Sequence, residues 1–137
     1  MALTHLVDAS VLTRLAQPAV RIAIEPRAAG GELARAGISD LEIGYFARSE
    51  AEWDQLVGAL QVFELVETTG DHVRRARQVQ RLLAAKHQRG RKVPDLLIAA
   101  AAEAHDLGVL HYDANFDHIA AVTGQACEWV VPAGSAD

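Results

Sequence analysis

Residues 92–119 of this 137-residue chain read KVPDLLIAAAAEAHDLGVLHYDANFDHI, and their reading decides the fold. Pro94 stands where a helix can begin, because its missing N–H is one that a first turn leaves unpaired anyway. The alanine-rich run that follows, to about Gly108, carries small side chains on most sides. That predicts a helix packed closely against a sheet. Residues 109–112, VLHY, predict a strand, with Asp113 immediately after it, and residues 116–122 predict a short helix. Helices alternating with strands imply a parallel sheet covered on both faces.

Working outward, the same alternation recurs. Residues 3–7 predict a strand ending at Asp8. A helical turn over 10–15 and a second short helix over 19–24 follow, the latter ended by Pro26. A strand is expected over 33–38, and Ser39-Asp40-Leu41-Glu42 opens a helix to about Ala47. Ser49 opens another, with Trp53, Leu56, Val57 and Leu60 on one face. Residues 62–66 predict a third strand. Gly70-Asp71 starts the longest amphipathic helix, with Val73, Ala76, Val79 and Leu83 along its apolar side. Arg74, Arg75, Arg77 and Arg81 lie on the other side, and Asp71 reads as a plain cap. A last strand is expected over 128–131, and the tail 132–137 is expected to fray. The expectation is therefore one α/β domain over residues 1–137, built on a parallel sheet of about five strands flanked by helices on both faces.

Composition narrows the function. Half the residues are apolar and 23% are charged, which is globular rather than disordered. Thirteen basic against eighteen acidic residues give a net charge of −5. A nucleic-acid partner would then have to be met by a local basic patch or through a bound cation. Cys127 is the single cysteine, so no internal disulfide points to an oxidising compartment. The start MALTHLVD carries no basic leader, and the uncharged run 96–102 is far short of the ~20 residues that span a bilayer. A cytoplasmic protein without a membrane contact is expected.

Four carboxylates fall where a strand and a helix meet: Asp8 in LVDASVL, Glu42 in ISDLEIG, Asp95 in VPDLLIAAAA and Asp113 in HYDANFD. In an open α/β sheet such junctions share one edge, where ligands bind. Each acid also has a purely structural reading. Asp8 can be an N-cap. Ser39 and Glu42 have capping-box spacing. Asp95 beside Pro94 suits a helix start, and Asp113 suits a turn rich in aspartate and asparagine. The conjunction argues for more, since clustered acids repel and call for a cation. Their hard oxygens suit Mg²⁺ or Mn²⁺. The histidines show no zinc spacing, and no P-loop, GxSxG or GxGxxG motif occurs.

VDASVL, SDLEIGY, VPDLLIAAAAEAHDLGV and HYDANFDHI resemble, in order and spacing, the motifs of PIN-domain ribonucleases, most nearly the VapC-type toxins of bacterial toxin–antitoxin pairs. The likeness runs from Leu3 to about Val131. It implies Mg²⁺-dependent hydrolysis of RNA, with Mn²⁺ as a possible substitute, and it places the family's acidic quartet on Asp8, Glu42, Asp95 and Asp113. Asp8, Asp95 and Asp113 would be metal ligands, and Glu42 would also position or deprotonate the attacking water. A further acid common in the family is replaced here by Asn115. Asn115 and Asp117 are expected at the margin of the metal site, and Ser10 matches a hydroxyl position that orients the first aspartate. Arg89, Arg91 and Lys92 lead directly to Asp95 and would grip flanking phosphates, with a solvated loop as the competing reading. The resemblance further implies a homodimer held inactive by a small VapB-like antitoxin; residues 11–24 offer an apolar surface for it to dock on, with burial in the core as the competing reading. Three other classes compete. A non-catalytic PIN-like unit that only binds, with an acidic metal site, would not need all four acids. A housekeeping RNA-processing nuclease would share the site. A phosphoacceptor module would want a lysine after a late strand, where this chain has Asp113.

Overall fold

The computed structural model describes residues 2–87 and 92–137. Its sheet is formed by β1 (His5–Val7), β2 (Leu33–Ala36), β3 (Glu64–Val66), β4 (Gly108–His111) and β5 (Cys127–Trp129). All pairings are parallel, in the order β3-β2-β1-β4-β5. The chain builds outward from β1 to β3, then crosses back to lay β4 on the other side of β1. The strand order thus reverses between β1 and β4, and their C-terminal ends form the crevice in which such sheets bind ligands.

Helices cover both faces, as expected from the alternation. Successive strand residues face opposite ways. Leu6, Ala34 and Val109 accordingly pack with α5 (Gly70–Ala85), α6 (Val93–Ala104) and α7 (Asn115–Thr123). Val7, Leu33 and Leu110 pack on the opposite face with α1 (Ala9–Leu12) and α2 (Pro18–Ala29). Ala99, Ala100, Ala101 and Ala102 of α6 are all buried. Small methyl side chains let this part of the helix pack against both the sheet and its helical neighbours.

α3 (Gly37–Gly44) and α4 (Glu50–Gly58) complete the fold, with a 3₁₀ turn over Ala59–Val62. Ser49 caps α4 by accepting a hydrogen bond from the Glu52 amide. Gly124, at φ +74°, ends α7 in the left-handed conformation that glycine adopts without strain.

Several local expectations are corrected. Pro26 does not end its helix: α2 continues to Ala29. The carbonyl that Pro26 cannot bond belongs to Ile22, on the exposed side of the helix, where water can satisfy it. Asp71 does not cap α5. Thr69 does, in a capping box with His72, whose buried ring takes the inward place expected for Val73. Asp71 stays exposed and pairs with Arg74.

The tail 132–137 is held rather than frayed. Ala136 is buried, its amide donates to the Tyr112 hydroxyl, and its carbonyl accepts from Arg14 Nε and Gln17 Nε2. The Tyr112 hydroxyl in turn donates to Asp137 Oδ1 at 2.7 Å.

Candidate active site

At the β1/β4 crossing lies an open pocket of about 840 Å³. Asp8, Glu42, Asp95 and Asp113 all line it, although they are far apart in sequence. Each arrives there for a local reason. Asp8 directly follows β1 and caps α1, accepting the Ser10 amide on Oδ2 at 2.9 Å. Asp113 follows β4 and folds its turn by accepting the Asn115 amide at 2.9 Å. Asp95 stands in the first turn of α6, where the helix dipole favours an acid.

Glu42 reaches the pocket by a route that differs from the expected one. α3 begins at Gly37, two residues before Ser39, with Ala36 as a cap that makes no side-chain hydrogen bond. Ser39 is fully buried and its hydroxyl has no hydrogen-bond partner among the described residues, so no capping box forms. Glu42 instead sits in the last turn of α3. Three- and four-residue spacing sets Ile38, Leu41, Glu42 and Tyr45 along the pocket wall.

The electrostatics follow from this crowding. Burial pushes the Asp8 carboxyl above its ordinary range, against the Ser10 contacts that lower it, and Asp113 adds to the rise. Burial, then the charges of Asp8 and Asp95, raise Glu42 to about 7. Asp95 rises to about 6 through burial and the Asp8 charge, offset by its hydrogen bond from Asn115 and by Lys92. Carboxylates so arranged resist simultaneous ionisation unless a cation is shared among them.

The donors fit a hard divalent cation. Asp8 Oδ1 and Glu42 Oε1 are buried without a hydrogen-bond partner among the described residues. Both are oxygens of the type Mg²⁺ prefers. No three acidic or imidazole groups among the described residues already converge as a finished cage. Mg²⁺ keeps several of its waters and takes only one or two carboxylates directly, so an open acidic set suits it.

The other expected residues are placed as follows. Ser10 lines the pocket; its amide orients Asp8 while its hydroxyl accepts the Tyr112 amide at 2.8 Å, tying the β1 and β4 loops together. Lys92 lines the pocket with Nζ 3.9 Å from Asp113 Oδ2. Arg89 and Arg91 lie outside the described residues. Asn115 Nδ2 donates to Asp95 Oδ2 at 3.0 Å, so it acts on a neighbouring acid. Asp117 is not in the pocket lining. It accepts from Trp129 Nε1 at 3.1 Å, which makes it a brace between α7 and β5.

Sequence reasoning missed Arg14, Tyr112, Trp129 and Asp137, all of which line the pocket. Arg14 stacks 4.6 Å above the Tyr112 ring and donates to Ser10 O at 2.7 Å. His111 was also missed. It is fully buried, and its Nδ1 accepts the Asp113 amide, steadying the turn that carries that acid.

A parallel sheet in this order, with acids gathered at its crossing, is the arrangement of the PIN domain, and the chain belongs to that family, whose model matches residues 5–122. Among curated proteins it is similar to ribonuclease VapC51 of Mycobacterium tuberculosis, 63% identical over 137 residues and covering 100% of both chains. Ribonuclease VapC21 of the same organism is 43% identical, over 99% of this chain and 100% of that protein. Among solved structures, DNA-bound VapBC from Salmonella typhimurium matches with a TM-score of 0.77 at 19% identity, covering 94% of this chain and 99% of that one. VapBC2 from Rickettsia felis, bound to a DNA fragment from its promoter, matches with a TM-score of 0.76 at 15% identity, covering 94% and 99%.

Proposed function

We propose that this protein is a divalent-metal-dependent endoribonuclease, the toxin of a VapBC-type toxin–antitoxin pair. The observation that carries the reading is the gathering of Asp8, Glu42, Asp95 and Asp113 in one pocket, with buried carboxylate oxygens that have no hydrogen-bond partner among the described residues. Close likeness to ribonucleases VapC51 and VapC21 supports the reaction class.

Asp8, Asp95 and Asp113 would hold Mg²⁺ or Mn²⁺. When bound, the cation polarises the scissile phosphate and lowers the pKa of a water. The chain's own residues do the rest. Glu42, titrating near 7, is matched to accept a proton from an attacking water at neutral pH. Asn115 fixes the rotamer of Asp95, and the Ser10 amide fixes that of Asp8. Lys92 supplies a cation at the pocket mouth for a flanking phosphate. Tyr45 and Phe46, exposed on the pocket wall, offer ring faces on which unpaired bases can stack.

VapBC structures from Salmonella typhimurium and Rickettsia felis are among the solved neighbours, which supports a small antitoxin as partner. An acidic pocket suits an inserted arginine, which pairs carboxylates in bidentate fashion. Cytoplasmic action and a homodimer complete the proposal.

Purified protein should cleave RNA with Mg²⁺ and stop with EDTA, and Asp8→Asn and Asp95→Asn should stay folded and lose cleavage. Full activity in both variants would remove the proposed site. Expression alone should arrest growth, and co-expression of the neighbouring small gene should relieve it.

A further inference from the structure

The longest helix carries a surface that the site does not use. α5 buries His72, Ala76, Val79 and Leu83. At 3.6 residues per turn, Arg74, Arg77 and Arg81 therefore fall on its outermost side. Arg74 is paired with Asp71, and Arg75, on the flank, with Glu103. Arg77 and Arg81 are exposed, and among the described residues neither has a hydrogen bond or ion pair. Lys86, equally exposed, follows at the helix end.

The direction of this ridge is set by two contacts. Arg75 meets Glu103 at 2.7 Å, and the rings of His72 and His105 lie 5.9 Å apart. Both join the start of α5 to the end of α6, so the helices are antiparallel. The far end of α5 then lies beside the start of α6, where Lys92 and Asp95 line the pocket. Stepping on from the Arg75–Glu103 pair sets Arg81 level with Leu97, two residues beyond Asp95. Arg77 lies one further turn away, about 6 Å along the axis.

A polyanion approaching this chain meets a net charge of −5 and an acidic pocket. Local cations must hold it. We propose that Arg77 and Arg81 form a phosphate-binding track that leads RNA to the pocket. The proposal rests on the ribonuclease reading and adds the surface that holds the substrate outside the reacting centre. Guanidinium groups bind phosphate in bidentate fashion, and a ridge level with the first turns of α6 serves a strand that must also enter the pocket.

The test uses the full chain carrying Asp95→Asn, so that RNA is bound without being cut. Fluorescence anisotropy of a labelled hairpin RNA with single-stranded flanks is measured across a salt series. Arg77→Gln with Arg81→Gln should weaken binding and lower the slope of log K against log salt by about 1.4–1.8, or about 0.7–0.9 per lost phosphate contact. Arg21→Gln, which removes an exposed cation on α2, should leave the slope unchanged. Circular dichroism checks that the variants are folded.

An unchanged slope in the double variant overturns the track. So does a comparable drop in Arg21→Gln, which would mean overall charge rather than a ridge. Weaker binding to poly-L-glutamate with RNA binding intact would also overturn it, making the face one for an acidic protein. If the chain with Asp95 intact does not cleave RNA and the Asp95→Asn chain does not bind it, the ribonuclease reading falls with the track. If the intact chain cleaves RNA, the Asp95→Asn chain binds it and the slope holds in the double variant, only the track falls.

Discussion

Glu42→Gln tests whether Glu42 belongs to the site or to the helix. In the folded chain burial, then Asp8 and Asp95, hold its proton until about pH 7, against an ordinary value of 4.5. Between those values the unfolded chain binds fewer protons than the folded one, so stability falls as pH rises through this window. The full rise corresponds to about 3 kcal/mol at 1.36 kcal/mol per pKa unit. Solvent in the open pocket screens that to about 1–2 kcal/mol. Glutamine keeps the shape and removes the charge. In EDTA at pH 8 the variant should therefore melt about 3–8 °C above the parent, a gain that vanishes by about pH 4. Thermal melts followed by circular dichroism across the pH range measure this directly. Mg²⁺ should raise the parent's melting temperature at pH 8 and raise the variant's less, while RNA cleavage is lost in the variant. A variant that melts below the parent at pH 8, or differs by the same amount at every pH, would refute the reasoning and make Glu42 structural.

Two further outcomes concern the frame around the pocket. Tyr112→Phe leaves the buried Ala136 amide without its acceptor and should cost about 1–3 kcal/mol, with faster amide exchange at Ala136. Unchanged melting and exchange would mean that the tail is held by Arg14 and Gln17 alone. Arg35 is buried on β2, donates to Asp40 Oδ1 at 2.8 Å and also bonds the Phe63 carbonyl. Arg35→Ala strands both partners and should lower stability by about 3–5 kcal/mol in urea unfolding; a loss below ~1 kcal/mol would count against a buried, paired role.

The sequence by itself determined the alternation of elements and three of the four acids' addresses. Asp8, Asp95 and Asp113 stand at ends of strands or starts of helices, and such ends are written locally in apolar runs, proline and capping residues. Parallel pairing then carries those ends to a common edge. The fourth address was not legible. Ser39 and Glu42 have the spacing of a capping box, yet α3 starts at Gly37, because β2 stops at Ala36 and the helix turns inward to bury Ser39. Only that path makes Glu42 a wall of the pocket rather than a clasp of its own helix. His72 in place of Val73 on the buried face of α5 depended likewise on which residue caps the helix. The tail shows the same division. PAGSAD is polar and small, and nothing within it predicts order. Its anchors are Tyr112, Arg14 and Gln17, more than twenty residues away in sequence. Local chemistry settles where a helix or strand can begin. Which side chains then meet depends on long-range packing, and that is where this pocket was completed.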